Sequence, residues 1–290
     1  MKIAVCIKQI LDPSFPFALD QEKFVPVDDD IFYRTNPADL CAAALAAQLE
    51  QRFGAEVSFL TLGPQRTELS MRECLAIGGS RAVRLWDESL QPDANLKPYL
   101  LARAAAKLGA DLVLCGSRSA DEGSGQTPPA LAEYLGFPQV VAVTDVDFST
   151  DGRTLRAQRK LERGRRETIE CPLPALLALE PGSIPAEYAA LPRWLESRRQ
   201  FIEVLDRQAL DLDSAVMERL GSLASSARRS PPRPRPKKIF NLDTSLTAEQ
   251  RMEAMMSGGL KKSRSDLIEG TPKELAGKLV GLFKEKVPKS

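Results

Sequence analysis

Apolar positions along the first 135 residues follow two alternating periods. Four runs are short and continuous: Lys2 to Ile7 (KIAVCI), Glu56 to Leu62 (EVSFLTL), Ala82 to Leu85, and Asp111 to Cys115 (DLVLC). They are too brief for helices and lack polar alternation, so they predict strands buried on both faces. Helical patterns fill the gaps: Pro37 to about Phe53, about Arg66 to Ala76, Lys97 to Leu108, and Pro128 to Leu135. The punctuation agrees. Asn36 suits a helix cap and Pro37 a first turn, while Gly54, Gly78-Gly79 and Gly109 follow helix ends. This βα alternation predicts the α/β class, a Rossmann-like parallel sheet with helices on both faces.

Beyond residue 138 the period changes. Val140 to Phe148, Leu155 to Leu161, Arg166 to Cys171 and Ala175 to Leu179 read as strands joined by short turns, Asp151-Gly152 among them. They predict an antiparallel set that extends the edge of the parallel sheet. Residues 214–240 are rich in Pro, Arg and Ser and read as a linker after a body spanning 1–213. Residues 241–290 form a basic helical extension. Thr247 to Gln250 is a capping box ahead of Met252, Met255 and Met256, and Thr271-Pro272-Lys273-Glu274 is a second one. The second opens an amphipathic pattern of Leu275, Leu279, Leu282 and Phe283. A helix that short needs a surface to dock on.

Charge sharpens the boundary. The whole chain is nearly neutral, with 40 Lys and Arg against 39 Asp and Glu. Residues 214–290 hold 16 basic and 8 acidic side chains, leaving 24 basic and 31 acidic in the body. The chain has no histidine, which excludes a Ser-His-Asp triad, a Cys-His dyad and His-ligated zinc or haem built from this chain alone. Five scattered cysteines without a CxxC pair argue against a disulfide framework or a Cys-held iron–sulfur cluster. No stretch approaches the about 20 apolar residues of a membrane span. The expected setting is cytoplasmic.

The strongest chemical candidate is the loop after the fourth strand, Gly116 to Pro128 (GSRSADEGSGQTP). It lies at the carboxyl end of a parallel strand, where open α/β sheets bind ligands. The amides of Gly125, Gln126 and Thr127 precede a helix and can face a phosphate. The loop is neither a Walker A nor a GxGxxG sequence, and an ordinary long βα loop fits the same composition. The helix start at Asn36-Pro37 is a second candidate anion site, or a plain cap. Lys160, Arg163, Arg165 and Arg166 form a basic patch around a turn. With no aromatic residue interleaved, it reads as a solvated face or protein contact rather than a nucleic-acid site. In Leu191-Pro192-Arg193-Trp194-Leu195 apolar residues neighbour exposed ones, as in a satellite core or a docking anchor.

Several of these segments, in order, resemble the beta subunit of electron transfer flavoprotein. They are Lys2 to Asp12, Asn36-Pro37, Gly63-Pro64, Asp111 to Thr127, Leu161-Glu162-Arg163-Gly164, Leu173-Pro174-Ala175 and Tyr188 to Pro192, covering about residues 1–205. The resemblance implies a heterodimer with an alpha subunit and a redox-active FAD held mostly by that subunit. It implies an adenine nucleotide in the beta subunit, AMP or a second FAD. The backbone of Val5, Cys6 and Ile7 would border the adenosine. Asn36, Pro37, Ala38 and Asp39 would line the nucleotide. Gly116, Asp121, Gly123, Ser124, Gly125, Gln126 and Thr127 would hold ribose and phosphate. Leu191 would anchor partner dehydrogenases, flanked by Tyr188 and Pro192. The implied role is an electron carrier, without catalytic side chains or a metal. It would serve acyl-CoA dehydrogenases in fatty acid oxidation and a quinone-linked membrane oxidoreductase, with electron bifurcation as a variant. Ala38 stands where the family often has a bulky residue, and Thr127-Pro128 where it often has Gly or Val after the loop. Ile184 to Tyr188 departs from the usual Asn-Glu-Pro-Arg-Tyr.

The residues leave two other readings in play. One is a stand-alone ATP- or AMP-binding regulator of the universal-stress type, which shares the sheet pattern but lacks the Leu191 segment. The other is an enzyme that activates a substrate with ATP, which would need a phosphate-facing Lys and metal-binding acids.

Overall fold

The computed structural model describes residues 1–20, 26–27, 31–87, 95–150, 152–186, 188–222, 246–256 and 270–286. The chain divides into two compact units, Met1–Ser230 and Pro231–Ser290.

The first unit opens with β1 (Lys2–Cys6), β2 (Gln9–Leu11) and β3 (Tyr33–Thr35). Helix α1 (Pro37–Phe53) follows, then β4 (Glu56–Leu62), α2 (Glu68–Ile77) and β5 (Arg81–Leu85). Next come α3 (Leu96–Lys107), β6 (Leu112–Gly116) and α4 (Thr127–Leu135). The later elements are β7 (Gln139–Phe148), β8 (Thr154–Lys160), β9 (Arg166–Pro172) and β10 (Ala175–Leu179). The unit continues through α5 (Leu191–Arg199), β11 (Glu203–Leu205) and α6 (Ser214–Ser222).

Nine strands form one sheet in the order β11-β5-β4-β1-β6-β10-β7-β8-β9. From β11 to β7 every pairing is parallel, and β7-β8-β9 are antiparallel. The chain runs outward from β1 through β4 to β5, then returns to place β6 on the other side of β1. Side chains of β1 alternate between the two cores. Ile3 and Val5 pack with α1 and α2, while Ala4 and Cys6 pack with α3 and α4. The helical layer therefore changes face beside β1 and β6, and a crevice opens at the strands' carboxyl ends.

Two features differ from the sequence reading, and a third lay outside it. Ala175 to Leu179 does not join the antiparallel set; it inserts between β6 and β7, parallel to both. All five residues are buried, so this uninterrupted apolar run belongs in a two-sided interior position. The span 214–240, read as linker, begins with helix α6. Leu220 is buried, and Val216 and Met217 pack against the α3 side of the core. Residues 223–240 lie outside the described residues. Finally, 191–199 is a helix packed on α2. Arg72 Nη1 donates to the carbonyls of Ser197 (2.7 Å), Arg198 (3.0 Å) and Gln200 (3.1 Å), capping its open carboxyl end.

The second unit contains α7 (Ala248–Met256) and α8 (Pro272–Lys286). The first capping box forms in both directions and the second in one. Thr247 N donates to Gln250 Oε1 at 3.2 Å and Gln250 N to Thr247 Oγ1 at 3.4 Å, while Thr271 N donates to Glu274 Oε2 at 2.9 Å. Met252, Met255 and Leu279 are exposed. The side chains of Leu282 and Phe283 lie outside the described residues. Among the described residues no helix is long and apolar enough to cross a membrane.

Arg72→Met removes the guanidinium cap of α5 and is expected to cost about 2 kcal/mol. Hydrogen exchange checks this: protection should fall in 191–200 while the amides of β1, β4 and β6 stay protected.

Candidate functional site

Asp39 sits in the first turn of α1, only 4% exposed. Its Oδ2 accepts the backbone N–H of Lys8 at 2.8 Å, and its Oδ1 accepts that of Gly116 at 2.8 Å. One carboxylate thus fixes the chain leaving β1 and the chain leaving β6. Burial drives its pKa up to about 6, although the two amides, Asn36 and the nearby charge of Lys8 pull it down.

Asn36 acts beside it. The sequence suggested a helix cap, but its side chain makes no capping bond. It crosses to the β6 loop, where Nδ2 donates to the carbonyl of Arg118 (3.2 Å) and Oδ1 accepts the amide of Ala120 (3.2 Å). The start of α1 is therefore a poor site for an added anion, because the Asp39 carboxylate already stands there. Gly116 closes the junction. A Cβ there would lie 2.5 Å from Asp39 Oδ1 and 2.7 Å from Ala38 Cβ. Asp39 is held by its own bonds and cannot give way, so only glycine fits.

Above this junction lies a cleft of about 200 Å3. Its apolar walls include Cys6, Leu62, Pro64, Leu101 and Cys115, and its cations are Lys8, Arg66, Lys97 and Arg118. Burial, reinforced by the charge of Asp39, pushes the Cys6 thiol up to about 12. It therefore stays protonated and packs as an apolar group.

Lys8 organises the rim. Its Nζ lies 2.8 Å from Asp121, 3.2 Å from Glu122 and 3.3 Å from Ser119 Oγ. Burial alone would raise the Asp121 carboxyl. The bonds from Lys8, Ser119 and the Glu122 amide outweigh it and hold the group below the usual carboxylate range.

The cleft draws together eight of the residues singled out in the sequence: Cys6, Ile7, Asn36, Asp39, Gly116, Ser124, Gly125 and Thr127. Val5 faces the α1–α2 core instead. Pro37, Ala38, Asp121, Gly123 and Gln126 are not part of the lining, and Asp121, Gly123 and Gln126 are exposed. Gly123 and Gly125 take positive φ, 65° and 64°, and turn the loop back toward the cleft. Among the described residues, no bond within the chain takes the amides of Ser124, Gly125, Gln126 or Thr127. Pro128 and Pro129 follow at the next two positions and offer no N–H.

Sequence reasoning missed Lys8, Arg66, Lys97 and Arg118. Lys8 had a signal, being the first polar residue after an apolar β1. Arg66 and Lys97 belong to separate helix starts and meet the cleft only through the sheet. Together these groups give the cleft apolar walls beside free amides and cations that can face an anion.

A second surface lies at 188–201. Leu191 is 67% exposed, and Tyr188, Leu195 and Phe201 are exposed beside it, with Pro192 also exposed. Arg193 Nη1 donates to the carbonyl of Ile77 at 3.2 Å, holding this helix to α2 while its apolar residues face outward.

Comparison with known proteins places these features in context. A family profile described as the electron transfer flavoprotein domain matches residues 25–209. The chain is 28% identical over 286 residues to the electron transfer flavoprotein subunit beta of Bacillus subtilis, covering 98% of each. It is 30% identical over 224 residues to the subunit beta of Clostridium acetobutylicum, covering 77% of this chain and 85% of that one. It is also 30% identical over 267 residues to Protein FixA of Sinorhizobium fredii, covering 86% and 90%.

Two outcomes follow from the junction. Gly116→Ala should displace Asp39 and cost about 2–4 kcal/mol, read from the denaturant midpoint. The raised Asp39 pKa gives a stability contribution that is full below about pH 4 and lost as pH rises through about 6. Asp39→Asn removes that pH dependence but presents an NH2 group to one of two N–H donors. Denaturation at pH 4.5, 6 and 7.5 should show the wild-type advantage over the variant shrinking as pH rises.

Proposed function

The chain belongs to the electron transfer flavoprotein family, and on that premise we propose that it is a beta-type subunit whose cleft holds an adenine nucleotide. The nucleotide is AMP or, as in electron-bifurcating members, a second FAD. An alpha subunit completes the heterodimer and supplies most of the site for a redox-active FAD. When bound, that flavin supplies the electron-transfer chemistry. The complex passes electrons between acyl-CoA dehydrogenases and a quinone-linked or other redox partner.

The observation that carries the reading is the set of free amides at 124–127, standing beside Lys8 in a cleft at the β1–β6 face change. This chain's residues bind and orient. Asp39 and Asn36 hold the two loops at a set separation, and the amides and Lys8 meet a phosphate. Leu62, Pro64 and Leu101 shield the base from water. The absence of histidine from the chain is compatible with this division of labour. Leu191, with Tyr188 and Pro192, is the anchor for a partner dehydrogenase, since it is presented outward on a helix fixed from beneath by Arg72 and Arg193. Residues 1–213 together with α6 form the nucleotide-binding body, and 241–290 a basic extension.

Co-expression with the product of a neighbouring alpha-subunit reading frame tests the assignment. The expected product is a yellow heterodimer that releases one FAD and one AMP on heating. Two FAD would assign the cleft to the dinucleotide, and a colourless homodimer would overturn the reading. In that complex Leu191→Ala should slow electron transfer from the dehydrogenase by about tenfold, at unchanged flavin content. Loss of flavin would make Leu191 a structural residue.

A further inference from the structure

The charge at the cleft rim is arranged unusually for a phosphate site. Glu122 lines the cleft and lies between two of its lysines. One carboxylate oxygen is 3.2 Å from Lys8 Nζ, and the other is 3.7 Å from Lys97 Nζ. Lys8 also carries Asp121 at 2.8 Å. Two of the four cleft cations are thus already matched to acids on the loop that presents the free amides. Glu122 is well exposed, its side chain at 60%, so it is held by charge rather than by packing and can be displaced.

An anion seated on the amides of 124–127 would share this rim. A single phosphate can be met by those amides, with the positive charge of Lys8 beside them. Each further phosphate adds negative charge close to the Glu122 carboxylate, where both lysines are already matched; the cleft cations not paired with an acid among the described residues are Arg66 and Arg118. Additional amides are not to hand, because positions 128 and 129 are prolines. We propose that Glu122 sets the amount of negative charge the cleft accepts, by occupying the lysines that a second or third phosphate would need. The residue is a specificity determinant: it penalises diphosphates and triphosphates more than a monophosphate. Asp121 plays a different part, since its tighter bond to Lys8 and its bond to the Glu122 amide (2.6 Å) shape the loop itself.

This inference rests on the nucleotide reading of the cleft, and one titration separates the two. The full-length chain and its Glu122→Gln and Glu122→Asp variants are titrated with AMP, ADP and ATP by calorimetry. Wild type should bind AMP most tightly, with affinity falling along the series. In Glu122→Gln affinity should rise for all three, with a gain that grows with each phosphate to about three- to tenfold for ATP. Glu122→Asp keeps the charge and should retain the wild-type order. If AMP binds and Glu122→Gln shifts the three ligands equally or not at all, the proposal is wrong and the nucleotide reading stands. If wild type takes none of the three, the reading of the cleft fails and the proposal falls with it.

Discussion

A buried carboxylate accepting two backbone amides is the constraint on which the rest of this site depends. Asp39 binds the N–H of Lys8, just after β1, and of Gly116, at the end of β6, where the helical layer changes face. Burying a charge is costly unless it is paired and hydrogen-bonded. Here the cost holds the ends of β1 and β6 at a set distance. The same contact dictates a glycine at 116, and beside it Asn36 reaches over to the β6 loop. Motif residues scattered along the sequence thus serve one joint.

From that joint the cleft follows. Lys8 is carried to the rim because its backbone is pinned below, and its ammonium then gathers Ser119, Asp121 and Glu122. The loop is folded back by two glycines at positive φ, leaving a run of four amides free. Burial raises the pKa of the cleft thiols Cys6 and Cys115, which pack as apolar groups. The exposed apolar face of α5 belongs to a separate part of the surface, tied to the body by arginine bonds to carbonyls.

Much of this was legible in the chain. The βα alternation, the capping boxes and the Gly116–Pro128 loop were visible as local patterns, because propensity, capping and buried strands act over a few residues. The place of β10 was half legible. Its unbroken apolar run signalled a two-sided interior strand, but its nearness to antiparallel hairpins drew it into the wrong pairing. Helix α6 was hidden by the composition of the segment that follows it, although Val216, Met217 and Leu220 share one face. The role of Asn36 was misread as a local cap, since a side chain that can cap its own helix gives no sign that it will bond a loop 82 residues away.

The sequence by itself determined the strands and helices of the βα alternation, that no histidine chemistry is available, and which loop carries closely approachable backbone. Those properties are set by residue type and near-neighbour spacing. The tertiary structure decided that Asp39 is a buried joint, that Lys8, Arg66, Lys97 and Arg118 converge on one cleft, and that Glu122 stands between two of those cations. Such properties depend on sheet order and on distance through space. A charge's meaning changes with what faces it across the fold, and no local pattern specifies that.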